Sequence, residues 1–408
     1  MRLFRTLTLL LLLVAACREQ PTSQHTSPGS PAPADVPFLI PPRYAAALSF
    51  SCGVAAAADD RTIGYIDRAG NWLPAVSHPR PLGDPTKTQE LSDLEKMMLL
   101  DPGSIFPGAQ PFKVGEINLG ELVLKARDSS TAMTLKSFNE DLAPHEVNET
   151  YGFRNKTGKY VIKLEYHDAR GFSEGLAAVQ IDHEWGYINA TGNVMIAPQF
   201  VEAGDFHDGL AIVRLSFKGY GFIDRTGKIV IPTIYEKANH FSEGRALVLT
   251  STGFGFIDRA GKEVIPPRYH FAGDFSEGLA AFCPGQCDER SGEKGYIGVD
   301  DEYAINPSFE EARRFGSGLA PVKQNGKWGY IRHDGTFAIN PQFDDAQPFR
   351  DKLAIVSIAG GKTFITTSGA RPIDAVFTEL EPYSEGVALA CRDGKCGFLK
   401  QLNVPGSP

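Results

Sequence analysis

Two glycines recur along this chain at fixed offsets, and that regularity limits the fold more than any other feature. The first marker opens a copy at Gly152, Gly186, Gly221, Gly255, Gly295, Gly329 and Gly397, with Thr363 standing in once. The second falls at Gly175, Gly209, Gly244, Gly278, Gly318 and Gly386, with Lys352 standing in once. First to second marker is 23 residues in every case; second to the next first is 11, except 12 after Gly209 and 17 after Gly278. A constant half and a variable connection describe a rigid module joined by a loop.

The array reaches towards the N-terminus. "IPPRYAAALSFSCGVAAA" (40–57) aligns without a gap on "IPPRYHFAGDFSEGLAAF" (265–282), and "IGYIDRAG" restarts a copy at Gly64. "AQPF" at 109–112 matches "AQPF" at 346–349, which makes Gly115 a second marker and brings the count to nine of each. Irregular stretches near 75–105 and 125–150 then read as insertions, the first holding "ELSDLEKMMLL", a short amphipathic helix by its spacing.

Within a copy, "WGYIN" and "VMIAP" are short apolar or aromatic runs separated by "NATGN", and "DRTGK" and "DRAGK" fill the same place elsewhere. Glycine at a positive φ closes such a hairpin. Pro198, Pro232, Pro266 and Pro341 end the second run, where a missing N–H does least harm. "LAIVRL" and "LAAVQI" supply another strand, and "QFVEA" with its counterparts a further short one. A unit this small cannot bury its apolar face alone, so neighbours must stack. The expectation is an all-β tandem array of repeats about 34 residues long over 38–402. It enters at "IPPRY", halfway through a copy, and leaves after "CGFLKQL", the opening strand of one. A propeller-like ring, closed by 396–401 pairing beside 38–57, is favoured over an open β-solenoid, because closure protects the terminal edges.

The motifs "KWGYI" (327–331), "EWGYI" (184–188), "GFIDRTGKIVIP" (221–232) and the recurring "FSEG" resemble the WG-repeat, or KWG-repeat, family. The resemblance implies an all-β bacterial protein and little chemistry, since the roles of that family are mostly undefined.

"MRLFRTLTLLLLLVAAC" has the charged start, short apolar run and small residues of a secretion signal over 1–16. Its ending, "VAAC", resembles the lipobox of bacterial lipoproteins, which implies cleavage before Cys17 and acylation there. Stable anchoring follows from several chains on one residue. Residues 17–37 then form a lipidated disordered tether rich in Pro, Ser and Thr, and 403–408 a tail. The expected location is the bacterial cell envelope, with Arg18 in place of Asp favouring the outer membrane or a periplasm-facing site. A formal charge of −8 without a basic run disfavours nucleic acid.

"GFSEG" (171–175) fits the G-x-S-x-G pattern of a hydrolase nucleophile at Ser173. The same place reads "HFSEG", "DFSEG", "PYSEG" and "DFHDG" in other copies, so a structural turn with the hydroxyl bonded locally to backbone is the better reading. The histidines lack zinc-site spacing, no nucleotide-binding glycine motif is present, and the pairs Asp59–Asp60, Asp300–Asp301 and Asp344–Asp345 lack the alternation of a calcium loop. No catalytic residue, metal or cofactor is therefore expected. Cys391 with Cys396, and Cys283 with Cys287, are candidate local disulfides, leaving Cys52 as a buried free thiol.

Trp185, Tyr187, Trp328 and Tyr330 are candidate binding aromatics, with packing between copies as their competing role. These features point to a non-catalytic envelope lipoprotein, a rigid scaffold for an envelope protein or glycan. The alternative is a periplasmic enzyme acting on cell-wall material, with its site built by the two irregular stretches.

Overall fold

The structure is a computed structural model that describes residues 38–402 apart from 60–61, 74–77, 80–112, 119–120, 126–131, 137–138, 148, 286 and 288–291. The signal segment, the tether with Cys17, the stretch "ELSDLEKMMLL" and the tail lie outside the described residues. Among the described residues there is no helix, and the strands form ten antiparallel sheets.

We number the sheets 1 to 10 in chain order. Sheet 4 shows the building rule: Asp168–Ala169, Leu176–Ile181, Glu184–Asn189 and Val194–Phe200 are hydrogen-bonded in that order. Its two middle strands are buried on both faces, because another sheet packs on either side. The last strand alternates, with Ile196 and Phe200 inside and Met195 and Ala197 outside, as an edge strand packed on one face should. Sheets 5 to 8 repeat the arrangement over 202–235, 237–269, 271–309 and 311–343.

In sheets 4 to 6 the hairpin between the third and fourth strands is tied by one side chain, Asn189, Asp224 or Asp258. Asn189 Oδ1 accepts from the Thr191 and Asn193 amides at 3.1 and 3.0 Å and from the Thr191 hydroxyl at 2.7 Å. Asp224 does the same for Thr226 and Lys228. Gly192 and Gly227 follow at φ 84°, a conformation nearly free of cost only for glycine.

The first marker has a different cause. Pairing jumps from Trp185↔Phe200 to Tyr187↔Ile196, so the fourth strand bulges over Gly186. A Cβ on Gly186 would lie 2.6 Å from the Ile196 carbonyl oxygen. Thr363 demonstrates the rule by breaking it. Sheet 9, made of Asp345–Ala346, Leu353–Ile358 and Gly361–Thr366, has no fourth strand. Thr363 is fully buried there and its hydroxyl donates to the Ala375 carbonyl at 2.9 Å. A side chain and a close fourth strand exclude each other at this position.

The second marker closes a two-residue hairpin. Ser173 and Leu176 exchange backbone hydrogen bonds, with Glu174 at φ 52° and Gly175 at φ 78°. This is the turn that needs positive φ at both central residues. Asp351 and Lys352 hold it at φ 47° and 65° without a glycine.

The irregular middle is more regular than its sequence. In sheet 2 the pairs Lys113↔Lys125, Ile117↔Leu122 and Asn118↔Glu121 match Glu202↔Arg214, Phe206↔Ala211 and His207↔Leu210 of sheet 5. Gly115 therefore lies inside the strand Lys113–Asn118 and is not a turn marker. Most of the described residues in 125–150 are likewise strand: Ala132–Lys136 completes sheet 2, and Leu142–Val147, Thr150–Asn155 and Tyr160–Tyr166 make sheet 3. Glu140 and Asp141, at φ 49° and 66°, form a further copy of the turn that has no glycine to announce it.

The two ends meet. Sheet 10 consists of Glu379–Leu380, Val387–Arg392, Lys395–Lys400 and, as its fourth strand, Phe38–Tyr44. Phe38 pairs with Leu399, Ile40 with Phe398 and Tyr44 with Cys396. Ile40, Leu389 and Phe398 share one apolar cluster with Phe50, Ala55 and Ile66, the last two belonging to sheet 1, made of Ala46–Ala47, Val54–Ala58, Thr62–Asp67 and His78–Pro79. An open solenoid would leave these segments apart.

Two substitutions test this account. Lys352→Gly removes a left-handed side chain, worth about 1–2 kcal/mol, and adds about 0.5–1 kcal/mol of unfolded-chain entropy; a small rise in thermal midpoint is expected. Gly255→Ala places a Cβ 2.6 Å from the Ile265 carbonyl and should lower the midpoint, with exchange protection lost first along 263–269.

Candidate functional site

The serine of the recurrent turn acts between copies rather than locally. Ser173 Oγ donates to the Phe206 carbonyl at 2.7 Å, Ser242 to Phe275 at 2.7 Å, and Ser276 to Phe315 at 2.8 Å. The adjoining carboxylates accept from the next turn's backbone: Glu174 from Gly209 at 2.9 Å, Glu243 from Gly278 at 2.9 Å, Glu277 from Gly318 at 2.9 Å. Arginine from the next copy's hairpin finishes the contact, Arg225 donating to the Glu174 carbonyl at 2.7 Å. Ser173 therefore has a full structural role, and its hydroxyl is spent on a carbonyl instead of a histidine.

The seam between sheets 10 and 1 uses the same set. Ser384 donates to Phe50 at 2.8 Å, Glu385 accepts from Gly53 at 2.8 Å, and Arg68 reaches Glu385 at 2.9 Å. Burial alone would raise the Glu385 pKa, but hydrogen bonds from Arg68 and Gly53 outweigh it and hold the carboxyl below its usual range.

The four aromatics proposed for binding are interior. Trp185 and Tyr187 are 8% and 1% exposed, Trp328 and Tyr330 4% and 0%. Trp185 and Tyr187 share a cluster with Ala203, Phe206 and Val213 of sheet 5. The tyrosine hydroxyls also serve packing: Tyr187 donates to the Gly204 carbonyl and Tyr330 to the Gln347 carbonyl, both at 2.8 Å. Burial pushes both phenols well above the ordinary tyrosine range. They offer no surface for stacking a ligand.

Cys391 and Cys396 are directly paired across strands and disulfide-bonded, and Cys283 and Cys287 are disulfide-bonded in the long connection. Cys52 is free but only half-buried, because it stands at the glutamate position of a turn, at φ 51°. Among the described residues no group of three or more His, Cys, Asp or Glu is placed to hold a metal.

The junctions at His207–Asp208, Gly316–Ser317 and Arg350–Asp351 depart from the rule. Between sheets 9 and 10 the serine is Arg350 and the glycine Lys352, in the same copy whose first marker is Thr363. Arg350 has no hydroxyl to give the next copy, and neither it nor Asp351 makes a side-chain hydrogen bond or ion pair among the described residues. A small cleft enclosing only about 20 Å³ lies there. Leu353, Ile355 and Phe364 form its floor, Pro348 and Pro382 its sides. Tyr383 replaces the motif's phenylalanine and stacks on Phe364 at 5.1 Å between centroids. Gln347 and Gln401 complete the rim, their amides likewise without side-chain partners among the described residues. No single motif marks this site; its signal in the sequence is the coincidence of three broken markers in one copy.

Interlocked turns and stacked small sheets define a tandem β-repeat protein. The WG containing repeat model matches residues 151–182, 185–216, 220–250, 254–283, 295–328, 328–362 and 373–396, more than half of the chain, and the protein belongs to that family. No curated protein matches it significantly in sequence. Among solved structures, a eukaryotic initiation factor is similar over 88% of this chain and 90% of its own, at 10% identity and a TM-score of 0.49. BamB from Moraxella catarrhalis is similar over 71% and 99%, at 12% identity and 0.37. The computationally designed Ika8 protein is similar over 89% and 99%, at 11% identity and 0.38.

Ser173→Ala and Ser384→Ala should each cost about 1 kcal/mol. Equal losses of thermal midpoint are expected, since one lies inside the array and the other at its seam; a neutral Ser384→Ala would show that the seam is not held in this way. Because the Glu385 carboxyl is depressed in the folded protein, its contribution is present above the unfolded carboxylate range and fades as pH falls through the folded value. Glu385→Gln should therefore flatten the acid limb of the midpoint-against-pH curve, and an unchanged limb would contradict the assignment.

Proposed function

We propose that this chain is a non-catalytic cell-envelope lipoprotein whose β array holds a recognition surface for a protein or glycan. The observation that carries the reading is a division of labour among the residues of each copy. Serine, glutamate and arginine at the turns are committed to copy-to-copy hydrogen bonds. The two residues before the turn aromatic vary freely: Arg170–Gly171, Gly204–Asp205, Asn239–His240, Gly273–Asp274, Arg313–Arg314 and Gln347–Pro348. Neighbouring copies bring this region together, the His207 and His240 rings lying 4.2 Å apart and Asn239 donating to Asp274 at 3.0 Å. A constant frame carrying a variable edge suits binding, whereas catalysis requires one unique polar constellation.

The anchor follows from the lipobox resemblance at Cys17. Fractionation of cells making the full chain should find it with membranes, and the Cys17→Ser form in the soluble envelope fraction. Chemical cross-linking should recover the same partner from both. A Cys17→Ser protein that stays in the membrane would refute the anchor. Release of soluble fragments from cell-wall material by the purified chain would refute the non-catalytic reading and favour the enzyme.

A further inference from the structure

The outward-facing apolar side chains are gathered at one end of the sheets. The recurrent turn and the hairpin before the outer strand share that end, since Arg225 of one hairpin reaches the Glu174 turn and Arg259 of the next reaches the Asp208 turn. Of nine large apolar side chains exposed among the described residues, seven lie there. Leu39, Val161, Val194, Met195, Ile229 and Tyr303 are each the first or second residue of an outer strand, and Val299 sits in the hairpin before one. Phe217 and Ile234 lie at the other end. The fold does not require apolar residues at these places: Glu263 holds the first position of the outer strand in sheet 6 and is exposed.

Val161, Val194, Met195 and Ile229 fall on three consecutive sheets and form one arc. Each hairpin overlaps the outer strand of the preceding sheet: a Cβ on Gly192 would lie 3.4 Å from Ile162, and one on Gly227 2.8 Å from Ile196. The three hairpins of the arc, 155–159, 189–193 and 224–228, hold four cations, Lys156, Lys159, Arg225 and Lys228, against a single carboxylate, Asp224. Asp224 is turned onto the Thr226 and Lys228 amides. The ammonium groups of Lys159 and Lys228 make no hydrogen bond or ion pair among the described residues. In a chain of net charge −8, this arc is cationic.

We propose that the arc rests on an anionic phospholipid surface, its half-exposed apolar side chains entering the headgroup boundary and its lysines meeting lipid phosphates. Apolar residues flanked by lysine hold a protein at a bilayer interface, where binding grows with buried apolar area and with attraction to anionic lipid. The bilayer is the one that acyl chains on Cys17 would enter, and to that extent the inference rests on the lipoprotein reading. The 21 residues 17–37 lead into Phe38, which begins an outer strand at this same end, beside Leu39. They reach at most about 75 Å when fully extended. Attachment within that reach makes the surface contact an intramolecular event, so a weak contact suffices. A protein partner is the competing occupant. It would need a continuous interface of roughly 1,200–2,000 Å², whereas a fluid surface accepts apolar residues spaced along an arc.

The full chain carrying Cys17→Ser has no acyl group and separates this contact from the anchor. It would be co-sedimented with vesicles of one part phosphatidylglycerol to three of phosphatidylethanolamine, and with vesicles of phosphatidylcholine alone. Binding at millimolar lipid is expected for the anionic vesicles, and binding about tenfold weaker for phosphatidylcholine. A contact this weak is lost on dilution, so the same protein still leaves the membrane during fractionation. Met195→Glu with Ile229→Glu should weaken vesicle binding about tenfold or more at an unchanged thermal midpoint, because Glu263 already occupies such a position. Lys159→Glu with Lys228→Glu should weaken anionic binding and remove most of its dependence on salt. Phe217→Glu with Ile234→Glu, at the opposite end, should change nothing. Absence of vesicle binding overturns the proposal, and so does binding that survives the Met195 and Ile229 changes or falls only with the Phe217 and Ile234 changes. A protein cross-link lost in the Met195 and Ile229 variant, with no vesicle binding, puts a protein on the arc and overturns it too. None of these outcomes touches the anchor, which fails only if the Cys17→Ser protein stays in the membrane on fractionation.

Discussion

Everything in this protein depends on sheets that cannot shelter themselves. Where side chains are described, the middle strands of the sheets are apolar on both faces, so these copies must lie between two others. Burying one of their larger side chains is worth about 1.5–3 kcal/mol, and only a neighbour supplies that burial. Ile188, Ile223, Ile257 and Ile331 are wholly inaccessible for this reason. The constraint leaves two exposed faces at the ends of any finite stack. Here the strand Phe38–Tyr44 joins Lys395–Lys400, and sheets 10 and 1 cover each other with the hydrogen bonds used elsewhere.

The polar groups obey the same logic. A hydrogen bond between copies contributes only about 1 kcal/mol net, yet it fixes where one sheet sits on the next. Apolar contacts lack that directionality. Serine and glutamate occupy adjacent turn positions so that one donates to, and the other accepts from, the following turn. The arrangement places a non-glycine residue at positive φ in each described copy, a recurrent local cost offset by the contact it makes possible. Where Arg350 and Asp351 replace the pair, the cost remains and the contact is gone. The same imbalance holds at His207–Asp208; beside Thr363 the fourth strand is lost as well.

Much of this was legible in the residues. The glycine spacing, the hairpins and the need to stack follow from local stereochemistry and from the apolar pattern, both properties of short segments. The serine motif was readable as structural because it recurs, but its direction was not: Phe206 lies a full copy away from Ser173. Gly115 was misplaced because four identical residues upstream outweighed register, which only strand pairing reveals. Asp141 was invisible because a left-handed turn can form without glycine when contacts around it hold the backbone. Trp185 and Trp328 recur as a ligand platform would, and also as a core would; burial separates the two roles, and burial is a property of the neighbour.

The chain by itself determined the β architecture, the length of the building block and the commitment of serine and glutamate to structure, since each depends on backbone preferences that act within a few residues. Tertiary structure alone decided how many sheets the described residues form, the register in which the two ends pair, and that each serine reaches across to the following copy. Those outcomes depend on which side chains meet across separate copies, and nothing local to either partner specifies that meeting.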